Sequence, residues 1–195
     1  MIDNEKWLKA QAAERRFHKD PFRIGLNAYY QSYMQYFKHL GLDFNCHGKS
    51  IIEIGPADYP ALFYCYDYLL GYIIEPMPSS ILKELISGKT LTHIDRPAED
   101  IDWSKEFPAV SEIWLFNVLQ HVKDPDMIIE KCKQQTEAIC FFEPINCGIS
   151  DCHLWSFDLE YFRTHFGDCV KHYPGNPDAR NFHTHECAYG VWSKL

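Results

Sequence analysis

The sequence predicts an α/β domain in which a mostly parallel β-sheet is covered by helices on both faces. From Ser50 onward, short apolar runs alternate with stretches of helical spacing. The runs are apolar on both faces of an extended chain, which is typical of strands buried on both sides. This alternation is characteristic of a Rossmann-like, three-layer sandwich. The chain has 195 residues, so one domain accounts for its length.

Seven short segments predict the strands of this sheet. They cover residues 51–55, 72–76, 91–95, 112–119, 138–144, 169–173 and 185–194. The first five alternate with predicted helices and should run parallel. The last two follow each other without an intervening helix, so we expect them to pair as a C-terminal antiparallel hairpin.

Five segments predict helices. They cover residues 27–43, 59–70, 79–88, 124–137 and 156–167. In the first segment the apolar positions recur at three- and four-residue spacing, namely Tyr30, Met34, Phe37 and Leu40. The predicted N-caps of the last three are Ser79, Asp124 and Ser156. Predicted helix ends are the glycines at positions 41, 71, 88 and 167.

The residue pattern of the sequence changes near residue 48, and this change predicts the domain organisation. Residues 1–48 are rich in charge and aromatic side chains, and we expect them to form an N-terminal helical cover. Residues 49–195 carry the alternating pattern and should form one compact Rossmann-like unit.

Composition narrows the class of protein. The formal net charge is −8, which argues against nucleic acid as the main partner, because phosphate binding needs a basic surface. The first 20 residues contain no apolar core of a signal peptide, and no run approaches the ~18 apolar residues of a membrane span. We therefore expect a cytoplasmic protein whose eight cysteines are reduced.

The cysteines and histidines near the C-terminus do not have the spacing of a zinc site. The residues concerned are Cys147, Cys152, His153, His183, His185 and Cys187. No Cys-x-x-Cys pair occurs, and the five-residue step from Cys147 to Cys152 fits no tetrahedral zinc pattern. We expect no metal site.

The turn after the first strand favours a ligand with positive charge. Residues 51–70 contain no Lys or Arg but carry Glu53, Asp58 and Asp67, and the dinucleotide pattern G-x-G-x-x-G is absent. Glu75 ends the next strand, 75 − 55 = 20 residues after Gly55. A carboxylate at that offset can accept the hydroxyls of a ribose. S-adenosylmethionine combines a ribose with a sulfonium and an ammonium group, and it fits this turn.

The order of motifs resembles the class I S-adenosylmethionine-dependent methyltransferase family. IIEIGPADYPAL resembles the first motif, YIIEP the ribose-binding motif, RPAEDIDW the adenine-side loop and LFNVLQHVKDPDMIIEKC the fourth-strand motif. The resemblance covers residues 51–167 and implies a seven-stranded sheet. Ala57 and Tyr59 stand where the family usually has glycines, and Pro97 stands where it often has an acid.

The resemblance implies a set of cofactor-binding residues. Glu53 would bind the amine, Glu75 the ribose, and a tyrosine of the N-terminal helix, namely Tyr29, Tyr30 or Tyr33, would cover the sulfonium. The predicted cofactor-binding set is Glu53, Gly55, Ala57, Asp58, Glu75, Pro76, Ala98, Glu99, Phe116, Asn117 and Tyr30. Two other interpretations stay open at this stage: Glu53 could cap the following turn, and any single tyrosine could belong to the core.

The acceptor side is predicted to carry His121 and His153, each as a general base or an orienting group. His121 could instead pack at the start of a helix and bond a backbone carbonyl.

The resemblance implies a methyltransferase for a small-molecule acceptor or a sugar- or carrier-bound group. The alternative is a catalytically silent methyltransferase-like module that binds a partner protein, which Ala57 and Tyr59 motivate. The acid-rich first turn disfavours a nicotinamide oxidoreductase. The acceptor atom and the oligomeric state stay open.

Overall fold

The computed structural model describes residues 1–18, 26–87, 90–176 and 184–194, without the side chains of residues 17, 18 and 26. Within these ranges seven strands form one sheet in the order β3-β2-β1-β4-β5-β7-β6. The strands are β1 (Ser50–Ile54), β2 (Leu70–Ile74), β3 (Leu91–Ile94), β4 (Val110–Phe116), β5 (Thr136–Pro144), β6 (Lys171–Tyr173) and β7 (Cys187–Ser193).

The pairing of the strands confirms the predicted topology. Strands β1 to β5 pair in parallel, and β7 is antiparallel to both β5 and β6. The predicted C-terminal hairpin is therefore present. The order also brings the carboxyl ends of β1, β2 and β4 to one edge of the sheet, where ligands of open α/β sheets bind.

Six α-helices accompany the sheet in the described part of the chain. They are α1 (Asn4–His18), α2 (Leu26–Leu40), α3 (Ser80–Ile86), α4 (Trp103–Glu106), α5 (Pro125–Gln135) and α6 (Leu159–Phe166). No described helix has the length and apolar character needed to cross a membrane.

Alternate side chains of the central strands build two separate cores. Ile113 and Leu115 of β4 pack on one face with residues of α4, α5 and α6. Trp114 and Phe116 pack on the other face with residues of α2 and α3. This two-sided burial confirms the predicted three-layer sandwich.

The N-cap residues predicted for two of the helices are confirmed. The Ser79 hydroxyl accepts the Leu82 N–H at the start of α3. The Asp124 carboxylate accepts the Met127 N–H at the start of α5, whose first residue is Pro125. Side-chain caps of this kind satisfy N–H groups that have no partner within the helix.

The predicted helix over residues 59–70 is wrong. The chain makes only one 3₁₀ turn there, Ala61–Phe63. The buried Glu53 carboxylate accepts the first two N–H groups of this turn. Tyr66 exchanges backbone hydrogen bonds with residues 44–46, at 3.0 Å in both directions. These tertiary contacts use the backbone groups that a helix would have bonded internally.

A second correction concerns α6. Its N-cap is Asp158, whose carboxylate accepts the Tyr161 N–H, and not the predicted Ser156. Ser156 accepts the Gly148 N–H instead. The predicted end at Gly167 is confirmed, because this residue has a φ of 67°.

The predicted N-terminal cover corresponds to α1 and α2. The proposed boundary at residue 48 stays a prediction. Helix α2 contributes Tyr33, Tyr36 and Phe37 to the core on its side of the sheet.

We predict that Asp158→Ala lowers the free energy of unfolding by about 1 kcal/mol, because the first turn of α6 loses its cap. Urea unfolding monitored by circular dichroism measures the change. Asp151→Ala is the matched control, since Asp151 is exposed. Equal stability of the two variants would contradict the assignment of the cap.

Candidate active site

A cavity of about 880 Å³ lies at the carboxyl ends of β1, β2 and β4. Ile54, Ile74 and Phe116, the last residues of these strands, contribute to its lining. Side chains of α1 and α2 also line it. Its volume falls within the range of roughly 300–1,000 Å³ that is typical of ligand sites.

Most of the predicted site residues line this cavity. They are Gly55, Ala57, Asp58, Glu75, Pro76, Ala98, Glu99, Phe116, Asn117, His121 and His153. Two predicted residues, Glu53 and Tyr30, are not among its lining residues. The structure therefore gathers eleven of the thirteen residues in one place, while their individual roles stay predictions.

The turn after β1 depends on a left-handed backbone. Gly55 has a φ of +63°, and a Cβ there would lie 2.2 Å from Val118 Cγ2. Only glycine fits this approach between the turns after β1 and β4. Ala57 also has a positive φ, 53°, and its N–H donates to Glu75 Oε2 at 3.3 Å.

Glu75 presents a fixed carboxylate to the cavity. It follows β2 and is 8% exposed. Its Oε1 accepts the Met77 N–H at 3.0 Å, while Oε2 accepts the Ala57 N–H. Each carboxylate oxygen can accept more than one hydrogen bond, so the group can also receive donors from a ligand.

Glu53 lies behind the cavity wall. It is 1% exposed and accepts the Ala61 N–H at 2.7 Å and the Leu62 N–H at 2.9 Å. Burial raises the pKa of this carboxyl to about 7, although the two hydrogen bonds oppose the shift. The structure thus places Glu53 in the turn-capping position that the sequence left open, and brings no part of it into the cavity lining.

Glu143 is a buried carboxyl that the sequence analysis missed. It is fully buried near the end of β5 and accepts the Val118 N–H at 3.0 Å and the Leu119 N–H at 3.2 Å. Burial raises its pKa to about 8, and these hydrogen bonds lower it in part. The sequence signal for this buried carboxyl is a single charged residue within the otherwise apolar segment AICFFEP, residues 138–144.

The segment held by Glu143 carries two predicted site residues. Asn117 follows β4 with a φ of 60°, and its N–H donates to the Phe142 carbonyl at 3.0 Å. His121 ends the 3₁₀ turn Leu119–His121. The buried carboxyl therefore positions the segment that carries Asn117 and His121, both of which line the cavity.

Helix α1 closes one side of the cavity through contacts to that same segment. Trp7 Nε1 and Gln11 Nε2 both donate to the His121 carbonyl, at 3.0 and 3.1 Å. The Lys123 ammonium lies 4.6 Å from the centre of the Trp7 ring. The sequence predicts a helical cover over residues 1–48 but not the contacts of α1, because these contacts join residues more than a hundred positions apart in the chain.

Helix α2 provides an aromatic wall that includes two of the three tyrosines predicted for the cover. Tyr29, Tyr33 and Tyr36 line the cavity, whereas Tyr30 packs on Phe44 and Tyr64 outside it. A step of one residue turns a helical side chain by about 100°. Tyr30, the one cover tyrosine in the predicted cofactor-binding set, therefore does not line the cavity, and its neighbour Tyr29 does.

The phenols of this wall are neutral at ordinary pH. Burial raises the pKa of Tyr29, and the nearby Asp58 carboxylate raises it further. Burial also raises the pKa of Tyr33, whose hydroxyl donates to the Tyr59 carbonyl at 2.6 Å. The wall therefore presents uncharged aromatic rings to a ligand.

The loop after β3 is tied to α5. The Lys131 ammonium donates to the carbonyls of Glu99 at 2.6 Å and Ile101 at 3.0 Å. Glu99 Oε1 accepts the Lys123 N–H at 2.6 Å. These bonds fix the turn that brings Ala98 to the cavity.

His121 and His153, the residues predicted for the acceptor side, lie next to each other in the lining of the cavity. Their ring centroids are 5.1 Å apart, with an interplanar angle of 75°. His121 Nδ1 is 3.0 Å from the Cys152 carbonyl oxygen and 3.6 Å from Glu14 Oε2. Its Nε2 is 3.2 Å from Gln120 Nε2.

The described residues contain no group of three or more His, Cys, Asp or Glu side chains that could hold a metal ion. All eight cysteines are free thiols. His183 lies outside the described residues.

Comparison with known proteins identifies the fold. No protein-family profile matches the sequence, and no curated protein matches it. The chain superposes on the N-methyltransferase NodS of Bradyrhizobium japonicum WM9, in complex with S-adenosyl-L-homocysteine, with a TM-score of 0.68. The identity is 13%, over 95% of this chain and 98% of that chain.

Two further structures match over nearly the whole length. Magnesium protoporphyrin IX methyltransferase (ChlM) of Synechocystis PCC 6803 with bound S-adenosylmethionine gives a TM-score of 0.65, with 10% identity over 100% of this chain and 99% of that chain. A complex containing the Trm112 methyltransferase activator of Haloferax volcanii gives 0.64, with 10% identity over 100% of both chains. The chain thus has the class I methyltransferase fold that the motifs predicted.

We predict that Glu143 makes stability fall as pH rises. Its pKa in the folded protein, about 8, lies above the ordinary value of 4.5, so the folded state holds a proton that the unfolded chain has released. The free energy of unfolding therefore decreases from about pH 5 to pH 8, by about 3–5 kcal/mol at most from this group. Urea unfolding across this window measures the slope.

The variant Glu143→Gln should flatten that slope, because an amide does not titrate. Part of it persists through Glu53, whose pKa is raised to about 7. Glu137→Gln is the matched control, since Glu137 lies in the same strand but is exposed. The same pH dependence in both variants would contradict the assignment.

Proposed function

We propose that this protein is an S-adenosylmethionine-dependent methyltransferase that acts on a small molecule or on a sugar- or carrier-bound group. The observation that carries this proposal is the Glu75 carboxylate, which lines the cavity at the end of β2. Two backbone N–H groups hold it in place. A carboxylate at this point of a parallel sheet is suited to accept both ribose hydroxyls of a nucleoside.

The charges around the cavity favour a cationic nucleoside over a phosphorylated one. Four carboxylates line it, those of Glu14, Asp58, Glu75 and Glu99. Arg15 is the one Lys or Arg side chain among the described lining residues. A sulfonium and an ammonium group would be attracted here, whereas a pyrophosphate would be repelled.

The aromatic wall of α2 supports the same ligand. Tyr29, Tyr33 and Tyr36 lie on the cavity, and Tyr36 packs 5.3 Å from Phe116 at the end of β4. A sulfonium near these rings would gain cation–π attraction of ~0.5–2 kcal/mol. Met77, Ile81 and Ala98 also line the cavity and provide apolar surface for an adenine ring.

The two departures from the glycine-rich pattern leave the cavity open. Ala57 has a small side chain and adopts the left-handed conformation that a glycine would supply. Tyr59 is not among the lining residues; its ring packs 4.8 Å from that of Tyr29. The space that a cofactor needs is therefore present, which favours an enzyme over the silent module.

Methyl transfer requires little covalent chemistry from the side chains of the protein. The bound cofactor would supply an activated methyl group on a positively charged sulfur. The chain's part is to align the acceptor with that methyl and to exclude water. Helix α1 serves the second task, since Trp7 and Gln11 attach it to the His121 carbonyl beside the cavity.

The matching structures support this proposal. NodS was solved with S-adenosyl-L-homocysteine and ChlM with S-adenosylmethionine. Both share the fold of this chain over nearly its whole length. The match to a complex of the Trm112 activator is also compatible with the alternative function, a silent module that works through a partner protein.

We predict that S-adenosylmethionine raises the melting temperature. A ligand at 100 times its dissociation constant adds about 2.7 kcal/mol, or about 5–10 °C for a domain of this size. Glu75→Gln should remove most of the shift, because the amide presents an N–H₂ donor where ribose hydroxyls need acceptors. Differential scanning fluorimetry measures it.

The matched control is Glu112→Gln. Glu112 is also 8% exposed, but it pairs with Lys49 away from the cavity, so its variant should keep the full shift. Absence of any shift in the unaltered protein, together with a stable partner on size exclusion, would overturn the enzyme assignment in favour of the silent module.

A further inference from the structure

We propose that His153 is the catalytic base toward the methyl acceptor, and that His121 is a positioning residue locked as a neutral ring by Gln120 and the Cys152 carbonyl. The inference rests on the proposed methyltransferase function and assigns separate roles to the two histidines at the acceptor end. It also defines the acceptor chemistry, which is a group that must lose a proton.

The contacts of His121 determine which nitrogen carries its proton. Nδ1 lies 3.0 Å from the carbonyl oxygen of Cys152, which can only accept a hydrogen bond, so Nδ1 is the protonated nitrogen. The Glu14 carboxylate at 3.6 Å from Nδ1 favours the same assignment. Nε2 faces the Gln120 amide nitrogen at 3.2 Å, which can only donate, so Nε2 accepts.

A second contact supports the orientation of Gln120. Its amide nitrogen also donates to Asn117 Oδ1 at 2.9 Å. With Asn117 oriented in this way, turning the Gln120 amide around would place its oxygen against Asn117 Oδ1. Gln120 is 3% exposed, so water cannot readily replace these bonds. Protein groups therefore occupy both ring nitrogens of His121.

His153 has the opposite arrangement. Its backbone is held by Ser150, whose hydroxyl accepts the His153 N–H at 3.1 Å and whose N–H donates to the His153 carbonyl at 3.0 Å. Its half-buried ring lines the cavity and makes a T-shaped contact with the ring of His121. Within the described part of the chain, no hydrogen bond reaches either ring nitrogen of His153.

The surroundings suit proton transfer from an acceptor. Two titratable residues besides His153 contact His121 here: Glu14 of α1 through its carboxylate, and Cys152, of the same loop as His153, through its carbonyl; both line the cavity. A neutral His121 beside His153 adds no like charge when His153 takes up a proton. The ring of His121 thus supports a second imidazole that can become charged.

The proposed step balances in atoms and charge. An acceptor O–H or ammonium N–H bond breaks, and its proton moves to a ring nitrogen of His153. The freed electron pair forms a bond to the methyl carbon, while the carbon–sulfur bond breaks and leaves its electrons on sulfur. The sulfonium becomes a neutral thioether, and the imidazolium later releases its proton to solvent.

The first test is the chemical reactivity of the two rings. Diethyl pyrocarbonate acylates unprotonated imidazole nitrogens that have no hydrogen-bond partner, and peptide mass mapping separates the ten histidines. We expect His153 to react at least tenfold faster than His121 at neutral pH. Similar rates in the unaltered protein would overturn the proposal.

Gln120→Leu tests the lock, because leucine keeps the volume and removes the amide. We expect His121 to become reactive in this variant. Gln135→Leu is the matched control, since Gln135 donates to the carbonyls of Phe107 and Pro108 instead, and it should leave His121 protected. The ¹⁵N spectrum of the imidazole nitrogens should show His121 protonated on Nδ1 in the unaltered protein and in the control. A protected His121 in Gln120→Leu would overturn the positioning role.

The second test measures transfer from methyl-labelled S-adenosylmethionine to the small-molecule fraction of a cell lysate. His153→Gln should lower the rate by about 100-fold or more, as loss of a general base does, while the melting shift with S-adenosylmethionine stays intact. Undiminished transfer by His153→Gln would overturn the base assignment. Failure of the proposed function gives a different result, because the unaltered protein would then show no melting shift with S-adenosylmethionine. The difference in reactivity toward diethyl pyrocarbonate would still distinguish the two histidines.

Discussion

The cavity depends on buried carboxylates that bond the backbone where the chain leaves the sheet. Glu53 holds two N–H groups after β1, and Glu143 holds two after β4. An unpaired N–H group in such a place costs about 1–3 kcal/mol. Both carboxyls are almost completely enclosed, so they have few alternatives to these donors. The paths of both loops, and with them the floor of the cavity, follow from this constraint.

The hydrogen bonds of Glu53 have a consequence for the aromatic side of the molecule. Because residues 60–66 form a tight turn in place of a helix, α2 packs on the sheet beside them. The Tyr33 hydroxyl joins the two by donating to the Tyr59 carbonyl. The cavity therefore acquires a wall of tyrosine rings from α2, and the Asp58 carboxylate of the acid-rich turn lies near enough to Tyr29 to raise the pKa of its phenol further.

Local signals in the sequence predicted the strands and the caps at Ser79 and Asp124, because each depends on neighbours in the chain. The order of motifs along the chain brought forward the eleven predicted residues that line the cavity. The rotation of α2 could not be predicted in this way. Tyr29, Tyr30 and Tyr33 are all aromatic, so the apolar pattern does not distinguish the buried face. The role of Glu143 and the docking of α1 depend on partners more than twenty residues away, which no spacing rule reports.

Backbone geometry explains why the fold is recognisable at 10–13% identity while sequence comparison finds no relative. Gly55, Ala57 and Asn117 turn the chain at the ends of β1 and β4 with φ values of 53–63°. Glycine adopts this conformation freely, asparagine tolerates it, and alanine does so at a cost of about 1–2 kcal/mol. Different residues can therefore produce the same turn when surrounding contacts hold it. The Ala57 N–H bond to Glu75 is such a contact, and it ties the shape of the first turn to the carboxylate on which the proposed function depends.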